Sequence, residues 1–188
     1  MPITQGTRLS NRNTLLDVLE SLISEHSVHD VTLDEVALRA GVTKGGLIYH
    51  FKSKEALLLA LVDRMRIRVE SHCVDPTEVG KKTLRKFLTD RINYAFSMQQ
   101  KEKRTMANLL VVTSSYPSLL GPVKVMYHSG IEALEGASEQ AGLLLSVWTA
   151  LDGFVLLEML NLHHFSELEK KEMKAALLNL VSQRLCEK

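Results

Sequence analysis

Apolar residues in this chain recur at intervals of three and four rather than two, and only four prolines and ten glycines interrupt them. A period near 3.6 gathers such residues on one side of a helix, whereas a strand needs alternation, so the pattern specifies an all-α fold of about nine helices. In the first apolar segment Leu15, Leu16, Val18, Leu19, Leu22 and Ile23 share a face that ends in the polar run 24–30. With 188 residues, 45% of them hydrophobic, the chain is long enough to bury a substantial core.

The next stretch carries the most local punctuation. Thr32 followed by Glu35 forms a capping box, which opens a short helix from Leu33 to Arg39 or Ala40. Gly41 supplies the permissive backbone of a tight turn, and Thr43 caps a second short helix reaching about Phe51. Two short helices joined by a glycine turn make a helix-turn-helix. Ser53 then caps a longer helix whose apolar positions Leu57, Leu58, Leu61, Val62, Met65 and Val69 carry it to about His72, and Pro76 marks a break. Further helices are predicted at roughly 77–100, 102–114, 118–135, 139–162 and 166–186, with breaks at Lys101, Tyr116-Pro117, Gly136 and 163–165.

Charge says where function sits. The net charge of +1 rules out nucleic-acid binding by bulk attraction, so any such surface must be local. Residues 36–54 hold Arg39, Lys44, Lys52 and Lys54 and no acid, although the first 72 residues carry nine charges of each sign. Inside that window Lys44 is a donor for base edges or phosphate, Tyr49 and His50 suit phosphates, and the capped start at Ser53 has Lys54 beside it. Gly45 and Gly46 cost about 1 kcal/mol each in a helix interior relative to alanine. Their place at the front of a short helix suits a backbone that must approach another surface closely; a merely loosened turn is the plainer alternative.

Residues 31–58, VTLDEVALRAGVTKGGLIYHFKSKEALL, resemble the signature of the TetR family, in which an AGV-type turn leads into a short reading helix ending in Tyr-His-Phe and a Lys-Ser-Lys-Glu connector. The strong likeness runs from Leu15 to Val62, and the remainder is similar only in helix pattern and length. The resemblance implies a DNA-binding domain over residues 1–52 and an effector-binding and dimerisation domain over 53–188. It implies that Thr43, Lys44, Gly45 and Gly46 face bases, that Thr32, Tyr49, His50 and Lys54 hold phosphates, and that Ala37, Val42, Leu47 and Phe51 pack the small core. Gly46 and Ile48 depart from it, since the family often has a hydroxyl residue and an aromatic there. Arg8, in the arm before the first helix, is a further candidate for the minor groove or backbone.

The implied protein is a homodimeric, cytoplasmic transcriptional repressor that binds a palindromic operator in double-stranded DNA and is released by a small-molecule effector. For the dimer surface the candidates are Leu144, Val147, Leu151 and Val155 with Met173, Leu177, Leu180 and Val181, whose breadth suits a four-helix bundle with a second copy. For the effector pocket they are Phe96, Met106, Leu110, Met126, Tyr127, Trp148 and Asp152, with Met98 and Phe154; the same residues at helical spacing also make an ordinary core. Their composition points to an apolar or amphipathic effector. Asp152, one turn from Trp148 in an apolar helix, needs a partner: a ligand cation, Arg91, Arg104 or a helix cap across the dimer.

Other classes find less support. Gly41 to Gly46 has the spacing of a phosphate loop, but Leu47-Ile48 follows where Lys-Ser/Thr is required. There is no GxSxG or HExxH, and His163, His164 and Glu167 lack a second ligand cluster, so neither catalysis, metal nor cofactor is expected. Cys73 and Cys186 form no CxxC, which fits a reducing compartment. Residues 1–13 lack the apolar core of a signal peptide, and Asp152 and Glu158 break the longest apolar stretch, so no membrane span is expected. The rival reading is an all-α interaction adaptor without DNA binding.

Overall fold

The computed structural model describes residues 5–73, 81–136 and 141–184, with side chains over 11–73, 84–135 and 141–183. The Arg8 side chain, the Pro76 break, the helix starts at 77 and 139, and Cys186 lie outside these. Among the described residues are nine α-helices: α1 (Gln5–Glu25), α2 (Leu33–Arg39), α3 (Lys44–His50), α4 (Lys54–Ser71), α5 (Lys81–Ser97), α6 (Gln100–Val111), α7 (Leu120–Gly136), α8 (Ala141–Met159) and α9 (Glu167–Arg184). Short 3₁₀ turns at Val112–Ser114 and Pro117–Leu119 lead from α6 to α7. The break expected at Lys101 falls earlier, because Lys103 N–H already bonds the carbonyl of Gln99 and draws residue 101 into α6.

The chain divides into two compact units, the first comprising Met1–Met65 with Arg104–Pro122 and the second Arg66–Lys103 with Val123–Lys188. The functional boundary expected at 52/53 therefore falls inside the first unit. There Leu15, Leu19, Leu22 and Ile23 of α1 are fully buried, as are Val36 of α2, Leu47 of α3 and Leu58 and Leu61 of α4. Residues 104–122 join this core through Leu109, Val112 and Leu119. The Asn108 amide donates to the carbonyl of Ile23 at 2.6 Å, and Ser118 Oγ donates to Glu55 at 2.5 Å, so this segment closes the open carbonyl end of α1 and touches the start of α4. Arg64 of α4 ties back to α1 through Asp17, Glu20 and the Leu16 carbonyl.

In the second unit α5 packs against α8 and α9. Its core holds Phe87, Leu88 and Ile92 of α5, Leu134 of α7, Leu144, Val147, Trp148 and Leu151 of α8, and Val181 of α9. By length and composition α8 could cross a membrane. It is instead a core helix whose buried face includes Leu144, Val147, Trp148, Leu151, Phe154 and Glu158. It ends where Asn161 takes a left-handed φ of 58°, with Leu162 N–H on the carbonyl of Leu157 and Asn161 N–H on that of Glu158. A reciprocal capping box starts α9: Ser166 Oγ accepts from Glu169 N–H at 3.3 Å, and the Glu169 carboxylate accepts from Ser166 N–H at 2.7 Å.

Candidate functional site

The helix-turn-helix is set by bonds its own sequence supplies. Thr32 sits in an extended conformation and its Oγ1 accepts from Glu35 N–H at 3.2 Å, which starts α2. The return arm expected of the capping box is replaced: the Glu35 carboxylate lies 3.0 Å from Arg39, one turn on. At the far end Gly41, with φ 66°, donates to Leu38 O at 3.1 Å while Val42 N–H reaches Ala37 O at 3.0 Å. This is the paired-bond helix stop whose left-handed position favours glycine. Thr43 then opens α3, its Oγ1 accepting from Gly46 N–H at 3.0 Å.

The helix so formed has one anchored and one open side. Leu47 is fully buried, Ala37 and Phe51 are buried and Val42 half-buried, as the small core requires. Thr43, Lys44 and Gly45 are exposed at the N-terminal edge, while Gly46 and Ile48 are half-buried. The two glycines differ. A Cβ on Gly46 would lie 3.3 Å from the capping hydroxyl of Thr43, so this glycine serves the cap, whereas one on Gly45 would meet nothing nearer than 3.9 Å. Among the described residues no packing asks for glycine at 45. Both threonine hydroxyls accept within the fold and keep their own hydrogen for an outside acceptor.

Two of the lysines are already engaged. Lys44 Nζ lies 3.0 Å from Asp34 Oδ2, across from α3 to α2, with both side chains about two-thirds exposed. Lys54 Nζ donates to the carbonyls of Val28 at 2.6 Å and His29 at 3.2 Å, and burial lowers its pKa against the opposing pull of Asp30. Tyr49 is exposed, and its ring meets half-buried His50 edge-on with centroids 5.2 Å apart. Arg12 of α1 lies over the Phe51 ring at 5.2 Å.

Among the residues named for the pocket, Tyr127, Trp148 and Asp152 converge in the second unit. Trp148 is buried, Tyr127 packs edge-on against it at 5.7 Å, and Arg91 stacks over its ring at 4.5 Å. Asp152 lies 3.7 Å from Arg91, and the Tyr127 hydroxyl is near enough to favour its charged form. Burial raises the Asp152 pKa, opposed by Arg91 and by its polar neighbours, and burial also raises that of Tyr127. The indole N–H of Trp148 faces the carboxyl and favours its charge, yet makes no hydrogen bond of full geometry. The backbone of Gly130 lies flat beneath Trp148, where any Cβ would overlap the ring. Phe96 stacks on Phe154 at 4.3 Å, and Met126 is half-buried. Met106 and Leu110 belong to the first unit, Leu110 at its surface.

The residues named for a dimer surface separate likewise. Leu144, Val147, Leu151 and Val181 belong to the chain's own core, which corrects their reading as surface positions, because α5 already covers them. Val155, Met173, Leu177 and Leu180 are half-buried, and the large apolar side chains left exposed on α8 and just after it are Leu156, Leu157, Leu160 and Leu162. A Cβ added at Gly153 would meet no other described atom within 4 Å outside its own helix backbone.

Sequence reasoning passed over three features. Asp34 lay just outside the acid-free window. Gly130 was one glycine among ten. Glu158, buried with its carboxylate between Lys103 and Lys170, had served only to break an apolar run; Lys170 is 3.2 Å away and Lys103 bonds it directly. Its one visible signal was a charge at a position whose helical neighbours are apolar.

Residues 15–61 match the model for bacterial regulatory proteins of the tetR family, and residues 85–182 match that for the tetracyclin repressor-like C-terminal domain. The chain belongs to the TetR family. A TetR-family chain with this head is a transcription regulator carrying a DNA-binding helix-turn-helix, not an enzyme. It is 24% identical over 156 residues to the transcriptional repressor BepR of Brucella suis biovar 1 (strain 1330), covering 78% of this chain and 75% of BepR. It is 32% identical over 66 residues to the A-factor receptor protein of Streptomyces griseus, which is 35% of this chain but only 24% of that relative. The fold matches a TetR-family regulator from Rhodococcus sp. with TM-score 0.68 at 15% identity, covering 94% of this chain and 100% of that one. It matches SmeT in its complex with triclosan with TM-score 0.66 at 19% identity, covering 93% and 91%.

Proposed function

We propose that this TetR-family protein is a cytoplasmic repressor that binds a palindromic operator as a homodimer and leaves it when a small molecule occupies the second unit. The observation that carries the DNA reading is the open N-terminal edge of α3, with Thr43, Lys44 and Gly45 exposed above a fully buried Leu47. A reading helix needs such an arrangement, anchored by one side and presented by its first turn to base edges. Thr43, Lys44, Gly45 and Gly46 face the major groove, and Thr32, Tyr49 and His50 hold phosphates. Lys54, with two of its donors on the carbonyls of Val28 and His29, keeps a third for a phosphate.

A second copy pairs through α8 and α9, where Leu156, Leu157 and Leu160 add exposed apolar surface to half-buried Val155, Met173, Leu177 and Leu180. The effector is apolar with one polar or cationic group, recognised by Tyr127, Trp148 and Asp152 with Phe96 and Met126. That BepR is a repressor and that SmeT takes up triclosan support repression and a small apolar ligand by analogy.

The test is selection of bound fragments from genomic DNA, followed by binding to the selected fragment and to a scrambled one across a salt series. Retention that is sequence-selective and weakens steeply with salt is expected. Lys44→Ala should lower operator affinity by about tenfold or more and blur the selected sequence. Failure of the free protein to discriminate the two fragments at low salt would remove the reading and favour an interaction adaptor.

A further inference from the structure

The acid-free window at residues 36–54 is not acid-free in space. Asp34 and Glu35 immediately precede it, and the turn at Gly41 folds α3 back over α2. The two acids then meet two of the window's four bases, Lys44 with Asp34 at 3.0 Å and Arg39 with Glu35 at 3.0 Å. The second is an ordinary pair one helical turn apart. The first joins residues ten apart and engages the lysine placed foremost on the reading edge.

Asp34 lies in the first turn of α2, where the helix dipole already favours a negative charge. Lys44 is not needed to hold Asp34 there. Both side chains are about two-thirds exposed, so the pair is weak and exchangeable rather than a structural tie. Its effect is on what Lys44 meets next. Sequence-blind binding to DNA gains chiefly from lysines that neutralise phosphates and release counterions. A lysine already neutralised by a carboxylate gains less from a phosphate, and the phosphate must also accept that carboxylate nearby. A base edge imposes no such charge repulsion. Guanine O6 and N7 are neutral acceptors for the ammonium, and the cytosine amino group paired with them is a donor a carboxylate can accept from.

We propose that Asp34 is a specificity-determining residue: by holding Lys44 it disfavours phosphate contact and reserves that lysine for base edges carrying the donor and acceptor pattern of a G·C pair. The inference rests on the reading of α3 given above. Asp34 acts through Lys44 and is thus a positioning residue, whose signature is the ratio of selective to non-selective binding rather than binding itself.

The experiment compares the full-length wild type, Asp34→Asn, Asp34→Glu, Lys44→Ala and the Asp34→Asn/Lys44→Ala double variant. Each is titrated with the selected operator fragment and with a scrambled fragment of equal length, at several salt concentrations. Asp34→Asn should bind scrambled DNA about two- to fivefold more tightly, while operator affinity changes less, so that the selectivity ratio narrows. Its log–log salt dependence on scrambled DNA should steepen by about 0.9, the release expected for one more phosphate contact. Asp34→Glu, which keeps the charge, should hold the ratio near the wild-type value. In the Lys44→Ala background the gain should vanish.

An unchanged ratio and salt slope in Asp34→Asn, equal tightening on both fragments, or a gain that survives undiminished without Lys44 would each overturn the proposal. Wild-type protein that fails to discriminate the fragments overturns the reading of α3 as well. Wild-type discrimination with an unaltered Asp34→Asn ratio overturns this inference alone.

Discussion

In the first unit the pairs beside the reading edge, Lys44 with Asp34 and Arg39 with Glu35, stand in solvent, whereas in the second Glu158 is only 4% exposed between Lys103 and Lys170. The chemistry of the partners is the same and the setting is opposite. A solvated pair is worth about 0–1 kcal/mol, because water replaces each partner on opening. A buried one resists opening, since each charge left behind has lost its hydration. The pairs beside the reading edge can therefore be exchanged for the charges of another molecule, whereas the pairs at Glu158 fix one helix against another. Aromatic contacts follow the same division. Tyr49 is presented at the surface, while Trp148 is enclosed by Phe87, Tyr127 and Arg91.

The comparison breaks most readily at Glu158. Burial works against its charge, but hydrogen bonds from Lys103 and Lys170 hold its carboxyl below the ordinary value of 4.5. Glu158→Gln should lower stability by about 3–5 kcal/mol at neutral pH, read by urea unfolding. The sign of the pH effect follows from the direction of the shift. A depressed folded pKa gives stability that is fully present above about 4.5 and is lost as pH falls through the folded value. The deficit of Glu158→Gln should therefore shrink on acidification, and a deficit independent of pH would mean the carboxylate charge is not what joins α8 to its neighbours.

Next in size is Gly130→Ala, which places a methyl group against the Trp148 ring and should cost about 1–3 kcal/mol of overpacking, with a changed tryptophan fluorescence spectrum. An unchanged spectrum would argue against that close approach. Gly41→Ala should cost about 1–2 kcal/mol through its left-handed φ of 66°, although no atom lies within 4 Å of the added Cβ. The first variant acts by crowding and the second by backbone strain, which calorimetry of both under one condition would compare directly.

The smallest stability effect separates the two units most sharply. The methyl group of Gly45→Ala would make only an ordinary contact, 3.9 Å from Thr43 Oγ1, and should raise stability by about 0.5–1 kcal/mol through helix propensity. On operator DNA it should nonetheless lose about tenfold in affinity, since the missing Cβ is what lets the backbone approach the groove. A more stable variant that binds as well as wild type would show that glycine at 45 has no role in recognition.

Much of the first unit was legible before any coordinates. Thr32, Gly41, Thr43 and Ser53 mark the ends of α2, α3 and α4 because caps and left-handed turns depend on residues two to five positions apart. The need of Asp152 for a partner was equally legible, since an isolated buried carboxylate is costly wherever it occurs. Which partner it takes was not. Arg91 and Tyr127 come from α5 and α7, and nothing near Asp152 in the chain distinguishes them from Arg104. The apolar stripe of α8 likewise announced burial without saying against what. Leu144, Val147 and Leu151 read as a surface for a second copy until α5 occupied it.

The sequence by itself thus determined the helices, their caps and the glycine turn, all properties of short-range geometry. Only the tertiary structure decided that Asp34 reaches Lys44, that Lys54 serves the carbonyls of Val28 and His29, that residues 104–122 belong with the first unit, and that Glu158 lies between two lysines. A charge is read along the chain one residue at a time, but its energy is set by what lies within about 4 Å of it. The run that looked uniformly basic in one dimension acquired its acids in three.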